Sequence, residues 1–135
     1  MKRVLFYILI AFALVSCRDN IKVDPAFLAS EQMGLVLNGQ QLFTYDALNC
    51  QYAFNRNNRV FRLHTDTMSD YVKATLSDIP AEKGQKLSGE IEWTTERDIK
   101  TKKLGSLLVA KISDDGTVWL WSNADKLGLT VRIPD

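Results

Sequence analysis

The chain has little of what small catalytic or cofactor-bearing domains depend on. Its 135 residues include one His and two Cys. A thiol nucleophile needs a His and an orienting group beside it, and a closed metal shell needs several converging ligands. One imidazole leaves neither within reach. No CxxC pair, Gly-rich phosphate loop or Ser-centred nucleophile elbow occurs. Charge of one sign is also missing. With 17 bases against 16 acids the formal net charge is +1, which gives no long-range attraction to nucleic acid or to an anionic surface. Three Pro and seven Gly, with 46% hydrophobic and 24% charged residues, are ordinary proportions for one folded domain and exclude disorder along the whole chain.

No apolar run reaches the roughly 20 residues that a spanning helix needs. The longest, Val4 to Val15, follows the basic start Met1-Lys2-Arg3 and leads into Ser16-Cys17-Arg18-Asp19. A basic start, a short apolar stretch and a small residue at the cut are the layout of a secretory signal, expected over residues 1–16. Without that segment Lys2 and Arg3 are lost and no acid is, so 15 bases stand against 16 acids.

Leu14-Val15-Ser16-Cys17 resembles the lipobox of bacterial lipoproteins. The resemblance implies cleavage before Cys17, a diacylglycerol thioether on its sulfur and acylation of the new amine. No other cofactor is expected. Each buried methylene adds roughly 0.8 kcal/mol of membrane affinity and stable anchoring takes more than one chain, so the implied molecule is tethered to the membrane without spanning it. By resemblance to enterobacterial lipoproteins, Arg18 where an Asp would signal inner-membrane retention implies the outer membrane, on its periplasmic or cell-surface face. The Val36-Leu37-Asn38-Gly39 opening also loosely resembles small Bacteroidetes lipoproteins. Surface members often carry an acidic cluster after the Cys, where this chain has only Asp19 and Asp24.

Residues 17–32 read as the lipidated Cys and a flexible tether with one helical turn near Pro25 to Ser30; such a tether reaches very roughly 20 Å. From residue 33 to 135 short apolar stretches alternate with turn signals. Asn38-Gly39 predicts a two-residue hairpin turn. Asn55 to Asn58 and Ser113 to Thr117 predict two more. Leu87, Ile91 and Trp93 share one face of a strand, opposite Ser88, Glu90 and Glu92. About eight short strands in about 100 residues predict an all-β domain, an antiparallel two-sheet sandwich, with a small closed β-barrel as the alternative.

Trp119 and Trp121 share one strand face, which suits a glycan-binding platform, a partner surface or a core. Glu96 to Lys103 reads as a charge-rich loop; Arg97, Lys100, Lys102 and Lys103 make it locally basic and a candidate contact for an acidic partner or a lipid headgroup. Asp114-Asp115-Gly116 lacks the later ligands of a calcium loop and reads as hairpin chemistry. His64, Asp66 and Asp70 do not complete a metal shell, and Glu90 with Glu92 reads as a solvated face. Cys50 reads as a buried, inert thiol. The expectation is a non-catalytic binding module contacting a protein partner, as an accessory subunit or inhibitor, with glycan binding through Trp119 and Trp121 as the alternative.

Overall fold

Every stretch marked by alternation folds as a strand, and the turns fall where the turn residues are. The computed structural model describes residues 21–45, 50–65, 70–96 and 98–134; residues 1–16, expected to be a signal, and Cys17, Asp66 and Arg97 lie outside them. Among the described residues one short helix, α1 (Pro25–Ala29), precedes nine strands: β1 (Met33–Leu37), β2 (Gln40–Thr44), β3 (Gln51–Asn55), β4 (Val60–His64), β5 (Tyr71–Leu76), β6 (Lys86–Thr94), β7 (Ile99–Ile112), β8 (Thr117–Ser122) and β9 (Leu127–Arg132). The β1–β2 turn has Asn38 at φ 51° and Gly39 at φ 79°, the positive values that a type I′ hairpin requires. In the β7–β8 turn Gly116 sits at φ 90°. There the Asp115 carboxylate accepts from the Ser113 hydroxyl and from the Thr117 N–H at 3.1 Å. Those bonds hold the Asp115 carboxyl below its usual pKa.

The domain is all-β, but the strands form one sheet and not the two-sheet sandwich expected. Their order is β2-β1-β9-β8-β7-β6-β5-β4-β3, antiparallel throughout. β3 to β9 form a meander, and the pairing Leu35↔Leu129 to Leu37↔Leu127 joins the N-terminal hairpin to the last strand. The expectation failed at β7. Ile99 to Lys103, read as loop, pair with Glu90 to Thr94, so β7 runs for 14 residues and β6 for nine. Strands of that length, with register shifts at Leu87/Gly89 and Val109/Lys111, bend continuously where short ones would split into two layers; bulges supply such bends.

The sheet curls into a half-barrel around one core. Leu35, Phe61, Leu63, Val72, Ala74, Leu87, Ile91, Trp93, Leu104, Leu107, Val109, Val118, Leu120, Leu129 and Val131 form a single buried cluster on its concave face. Among the described residues a closed barrel is not reached, because no ladder joins the edge strands β2 and β3. Side chains bridge that seam. Tyr45 and Tyr52 meet edge to face at 6.0 Å, and the Arg132 guanidinium lies 3.7 Å from the centre of the Tyr45 ring and 5.4 Å from that of Tyr52. The Tyr45 hydroxyl donates to the Thr130 carbonyl, and the Cys50 thiol, half-buried against the core, donates to the Thr44 carbonyl at 3.1 Å.

A second, smaller core lies on the convex face. Residues 21–32, which fall within the tether of the sequence reading, run across the backs of β1, β8 and β9. Asp24 caps α1, its carboxylate accepting from the Ala26 N–H at 3.0 Å, and Pro25 occupies the first turn. Phe27 is fully buried and packs with Val36, Trp119 and Trp121, flanked by Ile21, Val23, Leu28 and Met33. Gly128 makes this possible: a Cβ there would stand 2.8 Å from the Phe27 ring. No helix among the described residues is long and apolar enough to cross a membrane.

Candidate functional site

Strand alternation places Trp119 and Trp121 together on the convex face, and the N-terminal segment covers them. Their exposures are 0% and 4%. The Trp119 indole N–H donates to the Ser30 carbonyl at 2.9 Å, the Lys111 ammonium stands 4.4 Å over its ring and also donates to the Leu28 carbonyl at 3.1 Å, and the Phe27 ring lies 6.0 Å from that of Trp121. These aromatics bury their faces against α1 and present no flat platform to a sugar ring. Val118 and Leu120 point the other way into the main core, so β8 is buried on both sides.

The basic stretch after β6 is dispersed. Thr95 and Asp98 close a tight turn, the Thr95 N–H donating to the Asp98 carbonyl at 2.8 Å, and the strand that follows sends alternate residues to opposite faces. Lys100 and Lys102 therefore separate from Lys103. Lys102 pairs with Asp125 at 3.2 Å, while Lys103 stands opposite Glu90 and Lys100 opposite Trp93. Arg97 lies outside the described residues, so the structure does not place the fourth member.

Other chemistry-bearing residues resolve into local structure. His64 donates from Nδ1 to the Thr65 carbonyl at 2.7 Å. On the convex side of β4 to β6, Arg62, His64, Tyr71, Lys73 and Glu92 line a shallow cavity of about 320 Å³, where the Tyr71 hydroxyl donates to the Glu92 carboxylate at 2.6 Å. That bond raises the Tyr71 pKa. Among the described residues no group of three or more His, Cys, Asp or Glu side chains is placed to hold a metal ion.

A concavity runs along the edge of the sheet at β2. Gln40, Gln41, Leu42, Phe43 and Thr44, the whole of β2, form one wall of a cleft of about 580 Å³; Thr65, Asp70 and Trp93 to Glu96 form the other. Among the described residues β2 has a ladder partner on one side only, and a strand edge of this kind offers main-chain groups that an added strand can satisfy. Leu42 is 37% exposed there. The far wall offers hydroxyls and the Asp70 and Glu96 carboxylates, with the Thr94 hydroxyl donating to Asp70 at 3.3 Å. Sequence reasoning missed this cleft because edge position depends on which strands pair at long range, and no local signal in Gln40 to Thr44 encodes it. Neither a protein-family model, nor a curated protein, nor a solved structure matches the chain.

Proposed function

We propose that the chain is an exported, outer-membrane lipoprotein anchored through acyl groups on Cys17, whose β domain is a non-catalytic module that binds a protein partner. The observation that carries the binding reading is the cleft along β2, where a strand edge with no ladder partner among the described residues, an exposed Leu42 and two carboxylates face the same open space. Edge addition obtains affinity from main-chain hydrogen bonds and specificity from pockets for alternate side chains. That mode suits an accessory or inhibitory subunit. Glycan binding through Trp119 and Trp121 has no comparable support, since both are covered by the chain's own N-terminal segment.

The anchor and the binding site are tested separately. Cys17→Ala should give unprocessed precursor without acyl label; normal labelling of that variant refutes the anchor. A photo-reactive amino acid at Leu42 should yield a discrete protein adduct in cells, and the same group at Asn57, in the β3–β4 turn, should not. Equal yields from the two positions, or none from Leu42, refute the cleft as the binding site.

A further inference from the structure

We infer that one end of the half-barrel rests on the bilayer, with the cleft between Lys22 and Lys126 seated on anionic phospholipid headgroups. This rests on the lipoprotein reading above and names the surface that the anchor presents to the membrane.

The chain between Cys17 and the described domain is short. Ile21 and Val23 pack on the Phe27, Trp119 and Trp121 cluster, so a residue held against the domain comes within four residues of Cys17. Four residues span at most ~14 Å when fully extended. A tether of the length expected from sequence would leave the domain free to tumble. This one holds the surface around Ile21 close to the lipid and restricts which side can face it.

Topology identifies that side. In a meander successive turns alternate between the two ends of the sheet, so the β4–β5, β6–β7 and β8–β9 connections share one end, and the β1–β2 turn joins them: the Asn38 N–H donates to the Lys126 carbonyl at 2.9 Å. Lys22 and Asp24 lie at this same end, where with Asn38, Gly39, Trp121, Asn123 and Lys126 they line a cleft of about 610 Å³. Two ammonium groups face one carboxylate there, and the Asp24 carboxylate already accepts the Ala26 N–H. The balance suits phosphate. The near-zero net charge supplies no long-range attraction, so the contact depends on the anchor for proximity and on Lys22 and Lys126 for the local match, each Lys at an anionic surface shifting occupancy roughly fivefold.

The experiment uses the full-length, lipidated protein in vesicles of phosphatidylcholine alone or with phosphatidylglycerol, carrying a photo-reactive amino acid at Ala124, in the β8–β9 turn, or at Lys83, in the β5–β6 connection at the opposite end. Lipid adducts should form at Ala124 at least tenfold more than at Lys83. Lys22→Glu with Lys126→Glu should lower the Ala124 yield several-fold in the anionic vesicles and leave it unchanged in the neutral ones. Equal lipid adducts at both ends, on a protein whose acyl chains are verified by mass, overturn the inference and leave the lipoprotein reading standing. A charge reversal without effect in either vesicle overturns the headgroup assignment. A protein that carries no acyl chain overturns both readings.

Discussion

Removing the Phe27 ring tests whether the N-terminal segment is part of the folded domain. The ring is fully buried between Trp121 and Gly128. An aromatic side chain of this kind removes at least 150 Å² from water, worth roughly 4 kcal/mol at 25 cal/mol/Å². Residual burial in the unfolded chain takes off 10–40%. Phe27→Ala should therefore cost about 3 kcal/mol, on the order of 10–20 °C in Tm, read by urea and thermal melts. Two of the three Trp lie under the segment, so emission should shift red and acrylamide quenching should rise before the main unfolding transition. Gly128→Ala approaches the same contact from below: its Cβ would drive into the ring and should cost about 1–3 kcal/mol as an overpacked site. In the Phe27→Ala background the obstacle is gone, and the same change should become neutral or slightly stabilising. Single variants that melt within ~0.5 kcal/mol of the wild type with unchanged quenching, or a double variant showing simple additivity, would refute the docked segment.

Three further outcomes follow from groups on and around β9. The Thr130 hydroxyl is buried with no hydrogen-bond partner, so Thr130→Val should raise unfolding free energy by about 1 kcal/mol in urea melts; a loss would mean that the hydroxyl is satisfied. Burial raises the pKa of Tyr45 well above its ordinary value of 10. The unfolded chain then loses its proton first as pH rises, so this contribution is complete below about pH 10 and falls by roughly 1.4 kcal/mol per pH unit above it. Tyr45→Phe should remove that alkaline slope while costing about 1 kcal/mol at neutral pH for the lost bond to the Thr130 carbonyl; an unchanged slope would rule out Tyr45 as its source. Lys102 and Asp125 form a partly exposed pair, and Lys102→Ala should cost less than ~1 kcal/mol at low salt and almost nothing at 1 M.

What the sequence disclosed depends on how local the governing physics is. β6 was legible because one of its faces is buried and the other wet: Leu87, Ile91 and Trp93 are buried while Ser88 and Glu90 are exposed. The Asn38-Gly39 turn was legible because its dihedrals are a property of the two residues themselves. β8 gave no such reading, since Val118 and Leu120 enter one core and Trp119 and Trp121 another, and a strand buried on both faces does not alternate. The helical turn expected near Pro25 to Ser30 is found as α1, but at five residues it is too short for a helical period to show which face packs on the sheet. Ile99 to Lys103 looked like loop because that arm of β7 extends beyond the main core and is held by its ladder to β6, with Lys103 facing Glu90 across the strands.

Three features that the sequence did not disclose, the docking of α1, the start of β7 and the open edge of β2, share a cause and bear on function together. Each concerns a segment whose conformation is set by a distant partner: α1 by β8 and β9, the start of β7 by β6, and the open edge of β2 by the union of β1 with β9. The same long-range pairings put the Asn38-Gly39 turn beside Lys126 and begin β2, at Gln40, one residue later. The end of the sheet that carries Lys22 and Asp24 is thus also the end where the β2 cleft begins, with Glu96 of the β6–β7 turn on its opposite wall. In the orientation inferred above, a soluble partner approaching from the opposite end would meet the β3–β4, β5–β6 and β7–β8 turns instead. If the anchor and the cleft both operate, the partner is itself held at the same bilayer, and adduct formation at Leu42 should fall when the anchor is removed and the domain is released from the membrane. An adduct yield independent of lipidation would separate the two sites and place the partner in solution.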